Sequence, residues 1–319
     1  VSETISLPVP ERAQPARARG GRAGGRNRAG YAFVAVYLVL LLLFGVLPTA
    51  YAVYLAFTKA AGRRVSVGPV SFAQWAGLSN FFTTGRDFRF LPAFEHIAVY
   101  LAIWLVVLVV LVLALALLLH GGVRRTVPFL RFLFYLPGAL AGSASVLVWA
   151  FMLDPDISPW HFALSWLHYS SMPQTIAPGH LPAIFAVIAF WTGAGGWIVV
   201  MNGALNNISE EVIDSAKIDG ANAWQLAIRI KLPLIKRWVV FMLILAFAAG
   251  TQLFVEPQLL GAASLGMVSP TWSPNQLAYY LATQNGNFNY AAAISVDLLI
   301  VGLMAATLLV FRSKLFHLD

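Results

Sequence analysis

The chain has no cysteine, which excludes disulfides and thiolate-held metal sites. It also has little charge: 11% of residues are Asp, Glu, Lys or Arg, against 59% hydrophobic. Soluble domains carry about 25% charged residues, and a single water-soluble core cannot absorb such an excess of apolar side chains. The class is therefore a polytopic membrane protein. No stretch alternates apolar and polar residues over about ten positions, so a transmembrane β-barrel is excluded. No Gly-Lys pair occurs, and hence no Gly-x-x-x-x-Gly-Lys-[Ser/Thr] phosphate loop. His161, His168 and His180 share one loop, but their spacings of 7 and 12 match no zinc pattern. No serine–histidine–acid or paired-carboxylate arrangement is identifiable, so neither a metal site nor a catalytic residue is expected.

What is present is six apolar stretches, at 31–57, 97–119, 130–153, 181–201, 238–257 and 290–311. Each reaches the roughly 20 residues a helix needs to cross a hydrocarbon core. The expected fold is all-α, with six transmembrane helices. Pro48 and Pro137 fall within spans and predict kinks.

The 21 Lys and Arg residues are distributed unevenly. The segments on one side of the six spans (1–30, 120–131, 202–237 and the C-terminal tail) hold sixteen. Those on the other (58–95, 154–180 and 258–289) hold five, all in the first. The richer side faces the cytoplasm, which places both termini and the 202–237 loop there. The basic residues flank spans rather than covering a soluble face, which argues against a nucleic-acid partner. Residues 1–30, with six arginines among Gly, Ala and Pro, read as a disordered basic cytoplasmic tail. The apolar run from Tyr31 to Phe57 is too long for a signal peptide and reads as a retained span. Residues 31–319 then form the membrane domain.

The loop at 202–237 is long and charged, with a glycine near its middle and a proline near its end. Ile208, Val212 and Ala216 lie on one helical stripe, and Glu211, Asp214 and Lys217 lie off it. Ser209 stands where an N-cap belongs. Gly220 suits the left-handed residue that ends a helix. Asn222 and Gln225 have capping-box spacing for a second helix, which would carry Trp224, Ala227 and Ile228 inward and stop before Pro233. So short a half-apolar pair needs a groove in lipid or on a partner protein, and spacing alone leaves both open.

The order of residues adds to this. Glu211-Val212-Ile213-Asp214-Ser215-Ala216-Lys217-Ile218-Asp219-Gly220-Ala221, followed by Ile230-Lys231-Leu232-Pro233, resembles the EAA loop of binding-protein-dependent ABC importer permeases. Asp214-Ser215-Ala216 stands where that family has Glu-Ala-Ala. Gly77-Leu78-Ser79-Asn80-Phe81 is similar to a segment of the carbohydrate-type permeases. So are Phe134-Tyr135-Leu136-Pro137 with Trp149 and Leu153-Asp154-Pro155, and Tyr290-Ala291-Ala292-Ala293-Ile294-Ser295. The Gly-Gly-Pro that often follows the fifth span is absent. The resemblance implies a type I ABC importer permease fold in a bacterial cytoplasmic membrane, without a cofactor of its own. It implies a second permease subunit, two ATPase subunits that bind ATP and Mg, and a lipid-anchored extracytoplasmic solute-binding protein. Glu211, Asp214, Ser215, Ala216, Asp219, Gly220, Ala221, Leu232 and Pro233 would then couple to the ATPase.

For a solute path, Trp191, Trp197 and Asn202 on the fourth span offer a stacking face with a polar handle. Gln252 and Glu256 near the end of the fifth offer acceptors for hydroxyls. Asp297 lies about 10 Å into the last span, where an acid is costly and suggests function. The reading is half of a translocation path for a sugar or sugar-like solute. The rivals are a proton-coupled secondary transporter, working through Asp297 and Glu256, and a non-transporting scaffold that recruits a partner through the loop.

Overall fold

The computed structural model describes residues 23–59, 75–121, 127–139 and 142–312, with the backbone alone for 23–30. Most of the basic tail, Arg63, Arg64, Arg124, Arg125 and the C-terminal tail lie outside these residues. Helices dominate, and among the described residues the only extended pairing is one bridge between Thr58 and Trp75. The chain divides into two compact units, residues 1–51 and 52–319.

The first unit holds α1, Ala23–Leu41, a π-helical turn at Leu42–Val46, and the start of α2, Leu47–Ala56. Helix α1 begins within the stretch read as tail. Pro48 lacks an N–H, and its ring collides with a carbonyl one turn back in a regular helix. The wider turn falls at that point, and the Thr49 hydroxyl donates to the Gly45 carbonyl at 2.8 Å. The expected kink is thus a local π adjustment.

The second unit begins with the last turn of α2 and continues through α3, Ser79–Gly85, and α4, Phe90–His120. Helices α5, Val127–Ala139, and α6, Gly142–Met152, follow. The short α7, His161–Trp166, and α8, Met172–Thr175, lead into α9, Leu181–Asn206. Then come α10, Glu210–Ile218, α11, Ala223–Gln225, a second π-helical stretch at Leu226–Lys231, and α12, Leu232–Leu234. The remainder is α13, Lys236–Gly250, α14, Val255–Ala263, α15, Pro274–Thr283, and α16, Phe288–Arg312.

Among the described residues, four helices are long and apolar enough to cross a membrane: Tyr31–Ala56, Phe90–His120, Leu181–Asn206 and Phe288–Arg312. Two bent pairs, Val127–Ala139 with Gly142–Met152 and Ala223–Leu234 with Lys236–Gly250, raise the number to as many as six. The stretch read as the fifth span, 238–257, is not one helix. It breaks after Gly250, and the Leu253 carbonyl accepts from the buried Ser273 hydroxyl at 2.9 Å instead of continuing a helical ladder.

The core centres on α4 against α9. Ile97, Tyr100, Leu101, Trp104, Leu108, Val112 and Ala116 recur every three or four residues and are buried, one stripe of a helix. Phe185, Ile188, Ile198, Met201 and Leu205 answer from α9. Helix α5 crosses α9 closely at Gly195, where an added Cβ would lie 2.7 Å from Tyr135 Cα. Two asparagines tie the end of α2 in place. Asn80 donates to the carbonyls of Ala56 (2.8 Å) and Thr58 (2.7 Å), and Asn289 donates to Leu55 (3.0 Å). Carbonyls at a helix end need donors from outside the helix, and through Asn80 the Gly77–Phe81 segment singled out above gains a structural role. Ahead of α4, Arg89 grips Asp87 through two side-chain bonds, at 2.9 and 2.6 Å, and holds its carboxyl below the usual carboxylate range.

Candidate functional site

The charged loop folds locally. Ser209 is extended ahead of α10, as an N-cap residue is, although its side chain makes no capping bond. Glu210 and Glu211 occupy the first turn and Lys217 the last, matching the helix dipole at both ends. Gly220 has φ +84°. Its N–H donates to the Lys217 carbonyl at 3.0 Å, and the Ala221 N–H to the Ala216 carbonyl at 2.9 Å. This pair of bonds is a Schellman ending, which asks for a left-handed residue. Asn222 then caps the next helix reciprocally: Gln225 N–H to Asn222 Oδ1 is 2.8 Å, and Asn222 N–H to Gln225 Oε1 is 3.0 Å.

The second helix departs from expectation twice. It runs on through Pro233 and ends at Leu234, with Pro233 placed directly after the π-helical stretch. The π-helical stretch also changes the buried face. Leu226 and Lys231 point inward, while Trp224 and Ile228 are exposed. In α10, only Ala216 of the anticipated apolar stripe is buried. Glu211, Asp214, Ser215, Asp219, Gly220 and Pro233 are exposed, and Ala221 and Leu232 are half-buried. Asp214 is held by Lys217 at 2.8 Å, a surface ion pair worth at most about 1 kcal/mol. Ile218 and Trp224 flank the glycine turn and are 86% and 74% exposed.

The residues expected to line a solute path do not converge. Trp191 packs edge-on against Trp149 at 6.1 Å and lines an apolar pocket with Phe134, Pro137 and Phe190. Trp197 meets Phe241. Asn202 is 1% exposed. Its oxygen accepts from Arg131 and from Asn206 (3.3 Å), and its amide donates to the Ala116 carbonyl at 3.4 Å. These bonds make Asn202 a joint between α4, α5 and α9. Asp297 is half-buried on α16, apart from the residues of the cavity described next.

Gln252 and Glu256 do come together, in a cavity of about 510 Å³. Tyr100 and Trp104 form one wall, four residues apart and so on one face of α4. Ser143, Thr192 and Phe254 lie across from or beside them. Glu256 stands in the first turn of α14, beyond the break in the fifth apolar stretch. Gly250 completes the wall, since a Cβ there would lie 2.6 Å from Leu101 Cδ2 and 3.2 Å from Trp104 Cδ1. Sequence reasoning passed over Tyr100 and Trp104 because α4 reads as uniformly apolar. Their i, i+4 spacing in the charge-free span was the available signal.

A family model described as "Binding-protein-dependent transport system inner membrane component" matches residues 124–314. The chain is 28% identical over 322 aligned residues to the diacetylchitobiose uptake system permease protein NgcF of Streptomyces coelicolor, covering 95% of this chain and 89% of that one. It is 26% identical to the probable ABC transporter permease protein YesP of Bacillus subtilis, covering 90% and 91%. To the multiple sugar-binding transport system permease protein MsmF of Streptococcus mutans it is 24% identical, covering 90% and 96%. A chain in the crystal structure of a bacterial alginate ABC transporter, in complex with an alginate pentasaccharide-bound periplasmic protein, superposes with a TM-score of 0.74. That likeness covers 91% of this chain and 95% of the other at 19% identity, a likeness of fold.

Proposed function

Because the chain belongs to the family of binding-protein-dependent transport system inner membrane components, we propose that it is one permease half of an ATP-driven importer for a sugar or sugar-like solute. The observation that carries the coupling part of this reading is the loop at 210–235. Its two helices are capped by their own residues at the glycine turn, and they leave Val212, Ile218, Trp224 and Ile228 exposed beside acidic residues. Apolar side chains of that size beside charges fit a protein cleft. The occupant is a cytoplasmic ATPase subunit, which supplies the ATP and Mg; Glu211, Asp214, Ser215, Asp219 and Gly220 meet it. A second permease completes the path, and an extracytoplasmic binding protein delivers the solute. Closure of the ATPase pair draws the coupling loops together and turns the helix bundles as rigid bodies.

The solute reading rests on the cavity. Tyr100 and Trp104 offer apolar ring faces, while Gln252 and Glu256 accept hydrogen bonds from hydroxyls. Aromatic walls with a few convergent polar groups suit hydroxyl-rich rings. The relatives named for diacetylchitobiose and multiple sugars support that solute class.

The test is co-purification followed by ATPase measurement in proteoliposomes. We expect an ATPase subunit and a second permease to accompany the chain, with hydrolysis stimulated by solute-loaded binding protein. Solute uptake by the purified chain alone, abolished by a protonophore, would establish the secondary-transporter rival instead.

A further inference from the structure

Lysine is among the residues least often buried, yet Lys231 is 9% exposed, at the last position of the π-helical stretch in the coupling loop. Its Nζ lies 3.0 Å from Nδ1 of His120, the last residue of α4. An ammonium has three donors and no acceptor, so Nδ1 must supply the lone pair and the imidazole in this bond is neutral. Nε2 then carries the ring's proton and is the group able to donate to the Leu205 carbonyl of α9, which the imidazole also meets. One ring thus joins the ends of α4 and α9 to the loop. Next to it, Arg131 of α5 bonds Asn202 of α9, which bonds the α4 backbone. The charged groups acting on the pair are Arg131 on His120 and Lys217 on Lys231, both cations. Among the described residues the ion pairs are Arg89–Asp87 and Lys217–Asp214, so no carboxylate neutralises Lys231.

We propose that the Lys231–His120 hydrogen bond is the strut through which the coupling loop moves the cytoplasmic ends of α4 and α9, and that it holds only while His120 is neutral. Apolar contacts such as Leu226 and Ile235 can slide, whereas a directed bond from a buried ammonium fixes the loop's register against the bundle. Protonating the imidazole removes the acceptor and sets two cations side by side. Acidification on the loop side therefore disengages the loop while leaving its docking surface, around Ile218 and Trp224, intact. Lys231 and His120 are positioning residues here, and the proposal rests on the importer reading above.

The test uses the reconstituted complex of permeases, ATPase and loaded binding protein, read as solute transported per ATP hydrolysed, with the loop-side pH varied between about 5 and 8. We expect the wild-type ratio to fall on acidification. Lys231→Met and His120→Leu should lower it about tenfold at the upper end of that range, with the ATPase still bound, and the double variant should be no worse than either single one. His120→Gln, whose amide both accepts and donates, should restore the ratio and flatten its pH profile. A wild-type ratio in Lys231→Met and His120→Leu, or an unchanged acid fall in His120→Gln, overturns the strut. Absence of stimulated hydrolysis in the wild-type complex overturns the importer reading itself, a separate result.

Discussion

The side-chain amide of Asn289, near the start of α16, donates to both the carbonyl (3.1 Å) and the hydroxyl (3.0 Å) of Thr58, just past the end of α2. The sites are 231 residues apart in sequence, and they are buried together. The Thr58 carbonyl also accepts from Asn80 at 2.7 Å, so truncating Asn289 removes hydrogen bonds worth about 0.5–1.5 kcal/mol each rather than orphaning that oxygen. We expect Asn289→Ala to lower the melting temperature of the detergent-purified complex. Asn289→Asp should lower it further, because an ionised carboxylate has no donor for the same oxygens. A melting curve unchanged in both would remove this tie from the account of the fold.

Gly195 should tolerate no side chain. A Cβ there would lie 2.7 Å from Tyr135 Cα and 2.9 Å from the Phe134 carbonyl carbon, backbone atoms that move only with all of α5. Gly195→Ala should destabilise by about 1–3 kcal/mol, as overpacking does. Gly196, which has open space around its Cβ position, should accept alanine with little change. Equal melting temperatures for the two variants would contradict the close crossing.

At the coupling turn the constraint is dihedral. Nothing lies within 4 Å of a Cβ on Gly220, but φ is +84°. Gly220→Val should strain the turn and reduce ATPase retention and stimulated hydrolysis, whereas Gly220→Asn, tolerant of left-handed backbone, should be mild. Asp214→Lys should also impair docking, and Lys217→Ala should be nearly silent. Normal retention and stimulation in both Gly220→Val and Asp214→Lys would return the loop to a membrane-surface role.

Orientation is open to labelling, and the chain's lack of cysteine supplies the background. Cysteines at the exposed Ser170 and Ser269 should react from outside intact spheroplasts, while one at the exposed Ser209 should not. Ser273 is unsuited to this purpose, since it is fully buried and bonds the Leu253 carbonyl and the Gln276 N–H. External labelling at Ser209 would invert the topology and end the coupling argument.

Asp297 tests the proton-coupled rival. Asp297→Asn keeps the acceptor oxygen and removes the titration. We expect assembly and substantial solute uptake to survive. Loss of uptake with normal assembly would point to a proton relay.

The four long apolar helices and the caps around the Gly220 turn were legible in the chain itself because both are local. Hydropathy over about 20 residues marks a membrane helix, and the Gly220 turn and the Asn222–Gln225 box close within a few residues of each other. Only the tertiary structure decided which polar residues remain available. Asn202 reads as a solute handle until Arg131 is seen to occupy its oxygen, and nothing local to Ser273 announces that its hydroxyl is buried against the Leu253 carbonyl. Burial fell on Leu226 and Lys231, five residues apart across the π-helical stretch, and left Trp224 outside, a spacing that a 3.6-residue period does not give. The cavity likewise needed α4, α9 and α14 in place before Tyr100, Trp104 and Glu256 could share it. Local patterns set where helices begin and end, whereas the partners of a buried polar atom come from distant segments, and packing alone determines which of them arrive.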